Sequence, residues 1–214
     1  MEKTDFKKTD KAFYTGKGGV WQLIDVPDWP FLMIDGEGDP NTSSAYAEAV
    51  RALYMMSYGL KFRSKLVEQR DFTVGPLEGL WWADDMEAFI RREKDLWKWR
   101  MMIRQTDRVT ADHVEEVREI SRKKLAKLKG DRTDPQTLTS VRFERYHEGL
   151  SAQALHIGSY DDEGPLLSDL HHHYLLENGL VANGHHHEIY LGDPRKVMPS
   201  KLKTILRQPV RKAS

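Results

Sequence analysis

Two stretches of the chain repeat one order of apolar and polar positions. FLMIDGEGDPNTSSAYAEAVRALYMMSYGL (31–60) is matched by ALHIGSYDDEGPLLSDLHHHYLLENGL (154–180). Each begins as a short alternating strand, meets Gly, Asp and Pro punctuation, and continues as a helix that stops at Gly-Leu. Ala45, Ala49, Ala52, Leu53 and Met56 recur at helical steps in the first, and Leu166, Leu167, Leu170, Tyr174 and Leu175 do so in the second. Gly59 and Gly179 fall where a left-handed C-terminal cap is expected.

The repetition extends past the helices. GLWWADD (79–85) overlays EIYLGDP (188–194), and WRMMIRQTD (99–107) overlays LKTILRQPV (202–210). Each unit is therefore strand, helix, strand, strand. The expected fold is α+β: two such units related by a pseudo-twofold axis form an antiparallel sheet with the helices on one face. Residues 1–28 are an N-terminal arm or edge strand, and 29–210 form a single domain. Within it the first unit spans 29–107, a helical insertion lies mainly at 108–138, and the second unit spans 139–210. The insertion carries DHVEEVREISRKKLAKLKG, whose acidic start, basic end and Gly130 suit a helix dipole and cap. VRFERYHE (141–148) alternates like a strand.

Strand side chains alternate between faces, so overlaying the units sorts them. Leu32 and Ile34 align with Leu155 and Ile157 as the helix-facing core, leaving Phe31, Met33 and Asp35 opposite Ala154, His156 and Gly158. Leu80 and Trp82 align with Ile189 and Leu191, which leaves Trp81 with Glu188 and Tyr190 on the other face. A pseudo-twofold would bring Trp81, Glu188 and Tyr190 to one groove. Aromatic walls around one carboxylate suit a planar aromatic or cationic small molecule. A plain solvated sheet face would also explain Glu188, because one-sided antiparallel sheets carry polar residues there. Tyr46, Val50 and Tyr54 form a stripe on the first helix that either packs between helices or reaches the groove.

Composition narrows the chemistry. Of 214 residues 39% are hydrophobic, enough for a sizeable core. Lys and Arg total 33, as do Asp and Glu, so no general attraction to nucleic acid or anionic membrane follows. With no cysteine there is no disulfide, thiolate or Cys-zinc chemistry, and MEKTDFKKTD lacks a signal-peptide core. A cytoplasmic protein without nucleic-acid or membrane partners is expected. GKGG (16–19) and GEGDPN (36–41) lack the spacing of phosphate or dinucleotide loops. His171–His173 lie on a helix, where neighbours point about 100° apart, and His185–His187 precede a strand without an HExxH spacing. No metal and no cofactor are expected.

His156, Gly158, Tyr160, the turn Asn178–Leu180, then Glu188, Tyr190, Asp193 and Pro194 together resemble the GyrI-like small-molecule-binding domain, also the effector-binding domain of drug-responsive transcription regulators. The resemblance implies two fused units with a ligand groove, and a glutamate at Glu188 that meets cationic or polar parts of the ligand. Two features depart from the regulators: no helix-turn-helix precedes the domain, and the charged insertion is long, as in stand-alone bacterial members. Some of those are hydrolases that open the cyclopropane of DNA-alkylating compounds. The site residues expected are Glu188 and Tyr190 for catalysis, with Trp81, Met33, Phe31, His156, Tyr160 and Tyr54 contacting the ligand.

Three functions stay open on this basis. The first is a drug-binding module, with drug or toxin resistance as its setting. The second is a hydrolase of strained electrophiles with Glu188 as base, since desolvation beside aromatic rings strengthens a carboxylate as a base. The third is a protein that binds and inhibits a macromolecule.

Overall fold

The alternating stretch that opens each repeat is the end of a much longer strand. In the computed structural model, which describes residues 3–85, 91, 93–127 and 134–213, Gln22–Glu37 and Arg142–Ile157 are each one continuous strand. In chain order the principal elements are β1 (Lys3–Thr4), α1 (Phe6–Thr9), β2 (Gln22–Glu37), α2 (Ser44–Val67), β3 (Asp71–Phe72), β4 (Leu77–Trp82), β5 (Lys98–Arg104) and α3 (Ala111–Leu125). They continue with β6 (Arg142–Ile157), α4 (Gly164–Asp169), a π-helical turn (Leu170–Tyr174), α5 (Leu175–Glu177), β7 (Leu180–Ala182), β8 (His186–Tyr190) and β9 (Lys203–Lys212). The fold is α+β, with antiparallel sheet and helices. By internal packing the chain divides into two units: one holds the residues up to Thr9 with Trp29–Tyr146, the other Asp10–Asp28 with everything from His147.

In the first unit β5 pairs antiparallel with both β2 and β4. Helix α2 starts where Ser43 Oγ accepts the Tyr46 amide at 3.2 Å. It buries Ala49, Ala52, Leu53, Met56 and Leu60, continuing the apolar stripe seen in the sequence. Gly59 does not end it. The helix runs on to Val67, and a Cβ at Gly59 would collide with Val117 of α3, so the glycine allows two helices to approach closely. In α3, Thr110 caps the first turn, Asp112 sits in that turn, and Arg122, Lys123 and Lys124 occupy the last, as the helix dipole favours. The expected cap at Gly130 lies outside the described residues. β1 pairs parallel with β3, and the Arg104 guanidinium stacks 4.3 Å from the Phe6 ring and 3.5 Å from that of Trp29.

In the second unit β9 pairs antiparallel with β6, β7 and β8. Trp21, Ala152, Ala154, Leu170, Leu175, Leu180, Leu206 and Val210 form its core on the helix side. Gly179, with φ of +62°, closes α5 as the sequence predicts. Residues 10–28 are bound into this unit: Gln153 Nε2 donates to the carbonyls of Ala12 and Thr15 at 3.0 and 3.1 Å, and the Gly19 amide donates to Leu155 O.

The sheet's other face carries a buried ionic network. Glu148 Oε1 accepts from His187 Nδ1 at 2.9 Å and Oε2 from Arg207 Nη1 at 2.8 Å. Arg207 also donates to Gln153 Oε1 and to the Phe13 carbonyl. Burial alone would raise the Glu148 carboxyl; the charges of His187 and Arg207, and their hydrogen bonds, outweigh it and bring the value down to about 2. Breaking such a pair from one side strands the remaining charge. Arg207→Met is therefore expected to lower unfolding free energy by about 3–5 kcal/mol in urea titrations. Because the Glu148 value is lower folded than unfolded, its stabilisation is complete above the ordinary carboxylate range and is lost as pH falls toward about 2. Acid unfolding of Glu148→Gln should show less of that decline than the parent.

Candidate ligand-binding site

The facing of β8 follows from the ionic network. His187 and Ile189 point to the Arg207 face, so His186, Glu188 and Tyr190 point to the helix side, the reverse of the expectation that Glu188, Tyr190 and His156 face away from the helices. Cross-strand register confirms it: Glu188 pairs with Leu206 and Tyr190 with Thr204, while Ala154 and His156 of β6 pair with the same two residues from the other edge. His156, Glu188 and Tyr190 thus lie on two adjacent rungs of one face. Tyr160, on the turn before α4, brings its ring edge-on to Tyr190 with centroids 5.5 Å apart.

The electrostatics of this cluster are acidic. Burial, and then the charges of Glu188, Glu163 and Asp193, push the Tyr160 hydroxyl up to about 12, so it stays an O–H donor through the neutral range. Glu163 is itself buried at the start of α4. Glu188 keeps partial exposure, with His186 Nε2 at 3.6 Å from its Oε1. His156 Nε2 donates to the Ser159 carbonyl at 2.9 Å, an interaction that holds the turn carrying Tyr160. The expected ligand contact at His156 is thereby engaged within the protein. Thr204, between His156 and Tyr190, is fully buried.

The other expected residues lie in the first unit, where Trp81 takes the opposite face from the sequence assignment, while Leu32 and Ile34 share the helix side and Phe31 and Met33 the other, as assigned. Trp81 pairs with Trp99 and Gly79 with Met101, and both pairs sit under α2: Tyr46 stands 6.2 Å from Trp81 and 5.3 Å from Trp99. Trp81 is thus a buried helix-facing residue, the reverse of the expectation that Leu80 and Trp82 take that role. Phe31 and Met33, paired with Arg104 and Met102, lie on the opposite face from Trp81 and are buried too. Tyr54 is set along α2 in an aromatic ladder with Tyr58 and Phe62, centroids 6.4 Å apart at each step. In the second unit Ala152 and Ala154, rather than Leu155 and Ile157, face the helix. The overlay of the first strands is one residue out, and a one-residue slip exchanges faces completely.

Sequence reasoning missed His186, Glu163 and the Glu148–His187–Arg207 group. The histidine triplet's period-two position before Glu188 carried the signal for the first. No group of three or more His, Asp or Glu among the described residues is placed to hold a metal ion. No helix among the described residues is long and apolar enough to cross a membrane.

A family model for the GyrI-like small molecule binding domain matches residues 21–211. The chain belongs to this family. The GyrI-like chain is 38% identical to an uncharacterized conserved protein from Listeria innocua, with a TM-score of 0.86, covering 97% of this chain and all of that one. It is 36% identical to a structure described as a hydrolase from the same organism, with a TM-score of 0.83, covering 98% of this chain and all of the other. The C-terminal domain of EcmrR, 12% identical with a TM-score of 0.55 over 91% of this chain and 98% of that domain, shares the fold. No curated protein matches significantly.

The placement of Trp81 yields a stability test. Trp81→Ala in this GyrI-like domain should cost about 3–5 kcal/mol in denaturant unfolding, as removal of a buried aromatic does. Trp82→Ala, at a half-buried position, should cost clearly less.

Proposed function

We propose that the protein binds planar hydrophobic or cationic small molecules on the helix-side face of its second unit, with Glu188, Tyr190 and Tyr160 as the recognising groups. The observation that carries this reading is the convergence of a partly exposed carboxylate with two tyrosines whose rings meet at 5.5 Å. A carboxylate answers a ligand cation, and tyrosine faces and edges give flat apolar groups a surface with little conformational cost. Family membership supports a small-molecule ligand, and the balance of 33 basic and 33 acidic residues gives no reason to expect a polyanion.

A second reading is favoured by the hydrolase description of a relative at 36% identity. In it the ligand is a substrate with an activated cyclopropane. Glu188 takes a proton from a water molecule as its oxygen attacks the electrophilic ring carbon. The strained C–C bond breaks, and its electron pair passes into the conjugated carbonyl. Tyr160 or Tyr190, each an O–H donor, stabilises the oxygen where that charge collects.

One pair of measurements separates the readings. Glu188→Gln should weaken binding of a planar aromatic cation, measured by fluorescence titration, by about tenfold or more, as loss of a charge partner does. If ring opening of a cyclopropane-bearing substrate is accelerated by the protein, Glu188→Gln should slow it by about 10²–10⁴-fold. Undiminished cation binding by the variant would remove Glu188 from the site. No acceleration over buffer would leave the binding function alone standing.

A further inference from the structure

Resting on the reading of Glu188 as the ligand's charge partner, we infer that His186 is a proton-operated specificity residue: as imidazolium it pairs with Glu188 and disfavours cationic ligands, and as neutral imidazole it leaves that charge to the ligand.

The two residues alternate on β8 and share its helix-side face. Both side chains are largely buried, each 16% exposed, and Nε2 of His186 stands 3.6 Å from Oε1 of Glu188. That separation is too long for a hydrogen bond but within ion-pair reach, and this nitrogen is buried with no hydrogen-bond partner among the described residues. A lone pair on it would be repelled by the carboxylate, whereas a proton on it would be attracted. The geometry therefore distinguishes the two forms of the ring. The adjacent histidines differ. His185 lies outside the strand, and His187 is turned to the opposite face, where it bonds Glu148.

The charges around the pair are few in kind. On the carboxylate side Tyr160 feels the charges of Glu188, Glu163 and Asp193 and, pushed up to about 12 by burial first and by these charges after it, stays neutral. On the imidazole side stand His171 of the π turn and His172 beside it; His171 is pushed down by burial and then by the charges of His186 and His172. Imidazoles are the groups of this set that ordinarily change charge between pH 5 and 8. His171 and His172 both lie in the π turn Leu170–Tyr174.

Ethidium is a suitable probe, because its charge is permanent and independent of pH. Its affinity for the parent protein is expected to be about tenfold weaker at pH 5.5 than at pH 8.0, the effect of one neighbouring charge. His186→Gln should abolish that difference while binding at pH 8.0 persists, and the double variant His171→Gln/His172→Gln should retain it. A pH difference that survives His186→Gln overturns the inference. A second measurement needs no ligand: thermal unfolding of His186→Gln, Glu188→Gln and the combined variant. At pH 8.0 the losses in Tm should add; at pH 5.5 the combined variant should lose about 2 °C less than the sum, because the pair is attractive only when the ring is protonated. Additive losses at both pH values overturn the inference, whatever binds. Ethidium failing to bind the parent at either pH would instead bring down the ligand reading and the specificity role together, even with the unfolding coupling intact.

Discussion

The orientation of the candidate site depends on a charge that is nowhere near solvent. Arg207 is 1% exposed, and its guanidinium is satisfied by Glu148, Gln153 and the Phe13 carbonyl. A buried guanidinium tolerates little displacement, since every donor lost leaves a desolvated charge. His187 must therefore reach Glu148 from β8, and once it does the period of two along the strand sends His186, Glu188 and Tyr190 to the opposite face. A slide of β8 by one residue would carry Glu188 into the arginine network and strand His187 on the helix side. The ionic group is a register lock, and the helix-side facing of Glu188 and Tyr190 is its consequence. The same network holds residues 12–15 through Gln153 and Arg207, so the N-terminal segment belongs to that device.

Much of this was legible in the sequence, and the failures have a common physical origin. The repeated strand-helix-strand-strand order, the grouping of His156, Glu188 and Tyr190 on one face, and the Gly179 turn follow from patterns in which polar and apolar positions contrast, but that face is the helix side and not the one expected. The family follows from His156, Gly158, Tyr160 and the Glu-Ile-Tyr strand. The overlay slipped where contrast is missing: Phe31, Leu32, Met33 and Ile34 are all buried, so although Leu32 and Ile34 do meet the helix, FLMI gives no contrast by which to register it against ALHI. Trp81 and Trp82 posed the same problem. Position Gly59 failed differently, because a glycine followed by leucine has the same sequence signature whether it ends a helix or lets another helix approach. What distinguishes the cases is Val117, far along the chain.

The aligned stretches IRQ and LRQ carry a related lesson. Arg104 and Arg207 occupy matching places in the repeat and both are buried, but one is stacked between Phe6 and Trp29 while the other is held by Glu148. In both cases the arginine fastens a piece of the N-terminal segment to the unit that contains it. The two units share the need to satisfy a buried cation and meet it by different means. Nothing in a single strand's pattern separates a stacked arginine from a salt-bridged one, since the partners come from residues that are remote in sequence.

The divergence also bears on why, among the described residues, the helix-side face of the second unit is more polar than that of the first. On the helix-side face of the first unit the sheet presents Ile34, Met101, Gly79, Trp99 and Trp81, a set with the indole nitrogens as its main polar atoms. On that of the second it presents Ala154, Leu206 and Glu188, then His156, Thr204 and Tyr190. The larger apolar residues of the first fill the space beneath a 24-residue helix that starts with a firm cap. Beneath the second, the helix is broken by a π turn into short pieces, and small alanines line the sheet. A continuous helix over large side chains maximises apolar burial, whereas an interrupted helix over small ones leaves polar groups on the helix-side face partly open. One copy of the duplicated unit is thus built for packing density. The other gives up some of that density, and this keeps Glu188 half-buried instead of sealed.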